Sequence, residues 1–122
     1  MINTRLDVES GIVYQEAKGT FTWPDMLKAM ASVISDERSA QCTKSLWDFT
    51  DANAALTMEE IEMDLAALQS NLSGKVKREK MAWVTSTELG KSVVEIYLSK
   101  FDWADEWRVF SDPASARAWL TE

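Results

Sequence analysis

Three stretches of the chain share one pattern. An apolar run ends, a threonine follows, and an acid stands three positions later: Thr22 with Asp25, Thr57 with Glu60, Thr85 with Glu88. Each threonine hydroxyl can accept the amide hydrogen of the acid, and each acid can return the bond to the threonine amide, so the free N–H groups of a helix start are met. Phe21, Leu56 and Val84 precede the three threonines and are placed to pack on Met26, Ile61 and Leu89 as hydrophobic staples. A chain that alternates strand, cap and helix is expected to join its strands by right-handed crossovers. The pattern therefore constrains the chain to an alternating α/β fold with a mostly parallel sheet.

The remaining segments fit this frame. Ile2, Thr4, Leu6 and Val8 alternate with polar residues, as a strand with one buried face requires, and IVYQEAKG reads as a second strand across the Glu9-Ser10-Gly11 turn. These two form an N-terminal hairpin. Leu27, Met30, Ala31 and Ile34 mark the inward face of a first helix that starts with Pro24 in its tolerant first turn and ends near Ser35-Asp36. KSLWDF reads as a short central strand ending at Thr50 to Asn53. Ile61, Leu65, Leu68 and Leu72 stripe a second helix ending at Gly74. MAWVT is a fourth strand, Leu89, Val93, Ile96 and Tyr97 stripe a third helix, WRVF is a fifth strand, and Asp112-Pro113 opens a last helix with Ala116, Trp119 and Leu120 inward. The expected order is β-β-α-β-α-β-α-β-α, a five-stranded mixed sheet with four helices.

A chain of 122 residues fits one domain, spanning 1–122, and buries enough surface to fold without a disulfide or metal. Hydrophobic residues at 46% and charged residues at 27% are those of a folded protein, not a disordered one. The net charge of −7 repels a polyanion, so nucleic acid is not an expected partner. Its one cysteine, Cys42, cannot form an internal disulfide and reads as an ordinary thiol near a strand start. No signal-like start or membrane span is evident, so the expected location is cytoplasmic, without stable membrane insertion.

Chemistry is constrained by what is missing. The sequence has no histidine, which removes His-based acid–base catalysis, Ser-His and Cys-His nucleophile pairs and His metal sites. Glu59, Glu60, Glu62 and Asp64 resemble a metal cluster, but a solvated face at a helix start explains them better. Lys75, Lys77, Arg78 and Lys80 form a basic run that reads as a solvated connection. No catalytic residue, metal or cofactor is expected.

In an open sheet of this kind a ligand sits beyond the carboxyl ends of the parallel strands. Those ends supply Thr50, Asp51 and Asn53 after the third strand, and Ser86 and Thr87 after the fourth. Each leads to a helix N-terminus, where an anion would be favoured, yet neither loop carries a glycine and Asp51, Glu59, Glu60 and Glu88 are already negative there. Of the six tryptophans, Trp47 and Trp83 lie in adjacent strands and read as core, while Trp23, Trp103, Trp107 and Trp119 lie near element ends. Trp83, Tyr97, Phe101 and Trp103 could line an apolar pocket between the third helix and the sheet.

KGTFTWPDMLKAM, SLWDFTDA, KMAWVTSTELGKSVVEIY and WRVFSDPASARAWL, in this order and spacing, resemble the SpoIIAA-like family of small bacterial proteins, related to STAS domains and to CRAL-TRIO-type lipid-binding folds. The resemblance implies the same β-α fold and a regulatory or ligand-binding role. In the anti-sigma-factor antagonists a serine in an Asp-Ser-Ser/Thr-Gly motif opens the helix after the third strand. Thr50 to Thr57 holds neither serine nor glycine, so this turn reads as a strand end and a helix cap rather than a phosphorylation switch. The expected function is a non-enzymatic binding or regulatory domain, homodimeric, acting on a protein partner or a small amphipathic ligand. Lipid carriage and a threonine-based partner switch stand as alternatives.

Overall fold

The computed structural model describes residues 1–55, 57, 59, 60, 78–100 and 104–122, without the side chains of Ala54, Leu89, Tyr97 and Lys100. In chain order its elements are β1 (Ile2–Asp7), β2 (Ile12–Phe21), α1 (Trp23–Ile34), a 3₁₀ helix (Glu37–Gln41), β3 (Lys44–Ala54), β4 (Arg78–Val84), α2 (Glu88–Lys100), β5 (Ala104–Phe110) and α3 (Pro113–Leu120). The second expected helix lies outside the described residues.

The five strands form one sheet in the order β1-β2-β3-β4-β5. β1 runs antiparallel to β2, and the other neighbours are parallel. Gly11, at φ +71°, closes the hairpin: its amide bonds the Asp7 carbonyl at 2.9 Å, in a backbone conformation that a side chain would strain. Val8 falls in this turn and is exposed, rather than continuing the alternation of β1.

Sequential strand order with crossovers of one hand places the crossover helices on one face. Trp23, Met26, Ala29 and Met30 of α1 and Leu98 of α2 accordingly share a core with Ala17, Trp47, Phe49, Met81 and Trp83. Among the described residues the opposite face packs on α3: Ala116, Trp119 and Leu120 meet Ile12, Leu46, Ala82 and Val84. Adjacent strand residues such as Leu46 and Trp47, or Ala82 and Trp83, thus serve different cores, as the period of two demands. Burying both faces explains why β3 and β4 read as nearly continuous apolar runs.

The helix starts follow the sequence pattern with one correction. Thr22 caps α1 and exchanges both bonds with Asp25, and Asp112 caps α3 by accepting the Ser115 amide at 2.8 Å. Thr57 and Glu60 form the same reciprocal pair. In α2, however, the cap is Thr87, not Thr85: the Thr87 hydroxyl accepts the Gly90 amide at 3.0 Å, while the Thr85 amide still donates to Phe110 in the sheet. With its amide spent on Phe110, Thr85 cannot donate to Glu88 and the reciprocal box does not form there.

The helical faces are rotated from their expected positions. α1 buries Trp23, Met26, Ala29, Met30 and Val33, leaving Leu27 and Ile34 half-buried and Ala31 exposed. α2 turns Val94 and Leu98 inward and exposes Val93 and Ile96. Both helices carry apolar residues over more than one face, so periodicity alone does not select the inner one. The basic run is also no solvated connection as a whole, because Arg78 and Lys80 belong to β4 and Arg78 is buried.

Candidate functional site

The largest departure from the sequence reading concerns β3. It does not stop at Phe49 but continues to Ala54, with Thr50 to Asn53 inside the strand. Glu16 pairs with Asp48 and Lys18 with Asp51, so Ala17 of β2 faces two residues of β3, Phe49 and Thr50. This is a β-bulge with its extra residue in β3. Asp48 holds it: one carboxylate oxygen accepts the Thr50 amide at 3.0 Å and the Thr50 hydroxyl at 2.5 Å. An aspartate bonding its own backbone two residues on is a turn device, which is why the sequence here reads as a strand end.

Beyond the bulge the sheet narrows. β3 pairs with β4 only as far as Asp48 and Val84, whereas its pairing with β2 runs on to Phe21 and Ala54. Lys18–Phe21 and Asp51–Ala54 therefore project as a two-stranded ribbon past the end of β4. Gly19, at φ +67°, lies within it. Asp51 and Asn53 are exposed on the ribbon, and Thr50 is half-buried at its root.

The β4–α2 loop is tied to that root. The Ser86 hydroxyl donates to the Thr50 carbonyl at 3.3 Å, so the structure brings Ser86 and Thr50 together from the two strand ends. Thr87 then caps α2 with its side chain. A Cβ on Gly90 would collide with the Thr85 hydroxyl and lie 2.8 Å from that of Thr87, so the glycine lets the first turn of α2 close onto the strand end. Ser86, Thr87 and Glu88 are exposed beside the ribbon.

The predicted site residues thus divide into two groups. Thr50, Asp51, Asn53, Ser86 and Thr87 gather at the carboxyl ends of β3 and β4. Trp83 belongs to a different place: it is buried against the crossover helices, its ring 5.1 Å from that of Trp47 and nearly parallel to it, and 5.2 Å from Phe49. Phe21 extends the stack at 5.0 Å from Phe49. Phe101, Trp103 and the side chain of Tyr97 lie outside the described residues. Sequence reasoning missed Asp48 and Gly90, which shape the ribbon and the loop. The signals were present in Asp48-Phe49-Thr50, an acid two residues before a hydroxyl, and in a glycine three residues after the capping threonine.

The electrostatics are acidic. Asp48 and Asp51 lie in β3 at the bulge and on the ribbon, and Glu60, Glu88 and Asp112 follow the ends of β3, β4 and β5. Bonds from the Ser115 amide and hydroxyl hold the Asp112 carboxyl below its usual range. Among the described residues no group of acids and sulfur ligands is arranged to hold a metal ion. None of the described helices is long and apolar enough to cross a membrane.

This architecture is the SpoIIAA-like fold, a mixed five-stranded sheet with helices on both faces. An uncharacterised protein of the DUF3478 family from Shewanella loihica, with a SpoIIAA-like fold, is similar over 98% of this chain and 92% of its own, at 20% identity and a TM-score of 0.66. The anti-sigma factor antagonist SpoIIAA in its unphosphorylated form is similar over 97% of this chain and 94% of its own, at 8% identity and a TM-score of 0.57. No family model matches the sequence, and no curated protein does.

Proposed function

We propose that the chain is a non-enzymatic binding or regulatory domain that engages a protein partner through the β2–β3 ribbon and the adjoining start of α2. One observation carries this reading: the side chains of Asp48, Thr50, Ser86 and Thr87 at the strand ends are each engaged in a bond that shapes the framework. Asp48 holds Thr50, Ser86 holds the Thr50 carbonyl, and Thr87 holds Gly90. The result is a fixed, acidic, exposed edge carrying Asp51 and Asn53, and the Thr50 hydroxyl on the Asp48 carboxylate is half-buried and engaged in shaping the bulge. The likeness to an anti-sigma factor antagonist supports a regulatory role by fold alone.

The threonine switch gains nothing from this geometry. The Thr50 hydroxyl is bonded to a carboxylate, where a phosphate would be repelled, and the Thr57 hydroxyl is engaged with Glu60. The test is capture of partners from the native host with the wild-type chain and with an Asp51→Lys, Asn53→Lys variant. Loss of a specific partner, at unchanged melting temperature, is the expected result. A purified protein that turned over a substrate, and lost that activity on Ser86→Ala, would overturn the proposal.

A further inference from the structure

β5 ends the sheet, with β4 on one side and no strand on the other among the described residues. The Phe110 carbonyl accepts the Thr85 amide at 3.0 Å, so residues of β5 in phase with Phe110 turn their main-chain groups toward β4. Trp107 and Val109 are out of phase and turn theirs to the open edge. Trp107 is 37% exposed, its side chain projecting from the same face as that of its partner Met81, an unusual position for the largest apolar residue. On either side of it stand Glu106 and Arg108, both exposed and both projecting from the opposite face, where the Arg108 guanidinium lies 5.5 Å from the centre of the Trp119 ring.

Glu106 has no ion-pair partner among the described residues. It stands across from Lys80 in β4, but the Lys80 ammonium lies over the Trp119 ring, 5.0 Å from its centre, and donates to the Trp119 carbonyl at 3.2 Å. An exposed edge bearing charges ordinarily resists pairing with another strand. This one carries a charge order that fits its own copy.

We propose that β5 is a self-complementary edge through which two copies of this chain pair antiparallel about Trp107. With Trp107 opposite Trp107, Glu106 of each copy faces Arg108 of the other, twice across a two-fold axis, and the outward groups of Trp107 exchange both main-chain bonds. Shifting the axis to Glu106 sets glutamate against glutamate, and shifting it to Arg108 sets arginine against arginine. Opposed like charges are unfavourable in a cross-strand pair and opposite ones favourable, so the charge order selects one register. The axis stands perpendicular to the sheet, which continues through the contact as a closed, isologous pair. One strand per copy is a small interface, so the association is weak and reversible.

Sedimentation velocity of the full chain over a concentration series tests this. Wild type is expected to dimerise. Glu106→Arg and Arg108→Glu are each expected to raise the dimer Kd by at least about tenfold, because each sets like charges opposite in the paired register. An equimolar mixture of the two variants restores both opposite-charge pairs and is expected to associate, as is the charge-swapped double variant. A wild type that stays monomeric throughout overturns the proposal. So do single variants that dimerise like wild type, or a mixture that stays monomeric while both variants melt normally. Trp107→Cys gives an independent reading. Facing Cα atoms about 5.5 Å apart suit a disulfide, so oxidation should yield a covalent dimer, and its absence counts against the register.

Discussion

The carboxylate of Asp48 accepts both the amide and the hydroxyl of Thr50, and so fixes the one point at which β3 falls out of step with β2. Past the bulge the second half of β3 leaves β4 and runs on beside β2 as a ribbon. A single acid thereby sets where the sheet ends and the candidate binding edge begins.

Removing that acid should loosen the edge more than removing the hydroxyl it holds. Thr50→Val is expected to cost about 1 kcal/mol, the usual net value of one hydrogen bond, while Asp48→Ala loses two charge-assisted bonds and costs roughly 2–3 kcal/mol. Urea denaturation of the two variants gives the comparison. Equal losses would show that the amide bond contributes nothing.

Gly90→Ala should destabilise the fold by roughly 1–3 kcal/mol, because the added methyl meets the Thr85 and Thr87 hydroxyls. The ordinary gain from placing alanine in a helix would then be reversed in sign. Thr85→Ser in the same chain leaves the clash in place, whereas Thr85→Ala relieves its worst contact. Recovery in the alanine double variant alone is the expected outcome of thermal melts.

The Trp47–Trp83 stack lies between the sheet and the crossover helices, and Trp83→Ala should cost about 3–5 kcal/mol, as large aromatic truncations in a core do. Near-parallel indoles 5.1 Å apart also couple optically. Circular dichroism should show an exciton feature that disappears equally on Trp47→Phe and on Trp83→Phe.

Acid should weaken the fold partly through the 3₁₀ helix. Bonds from the Arg38 side chain, then its amide, lower the Asp36 carboxyl to about 2. A carboxyl depressed in the folded state stabilises it above the unfolded value and loses that contribution as pH falls through the folded one. The window therefore runs from about pH 4 down to about 2. Asp36→Asn should flatten the pH dependence of the urea midpoint within that window and leave it unchanged above.

Cys42 is 2% exposed, and burial raises its thiol above the ordinary value. It should resist alkylation in the native protein and react at the rate of a free thiol once unfolded. Labelling followed by mass spectrometry, with and without denaturant, distinguishes the two states.

Much of this architecture was legible because it rests on local chemistry. Strand alternation, the Thr22 and Thr57 boxes, Pro113 after Asp112 and the inward Ala116, Trp119 and Leu120 of α3 need only neighbours in sequence. What was not legible depends on contacts across the sheet. The extension of β3 past Thr50 requires β2 to continue beside it, and nothing in TDANA alone shows that. The inward faces of α1 and α2 are chosen by the sheet beneath them. The move of the α2 cap from Thr85 to Thr87 follows from a bond to Phe110, a residue far along the chain. Of the candidate site, the nearness of Thr50 to Ser86 and Thr87 was legible from the strand order, but the bond between Ser86 and Thr50 that joins them was not.

Each strand of this sheet lies beside its predecessor, so a growing chain can add strands in the order they are made, with none inserted between two already in place. The crossover face can begin to fill as soon as α1 exists. The other face waits, because among the described residues Ile12, Leu46, Ala82 and Val84 are covered by α3, the last of the described elements. An early-made surface is thus kept exposed until the final eight-residue helix seals it. Folding of this chain on the ribosome would proceed on one side while its other side remained open to chaperones or to misassembly until α3 had been made.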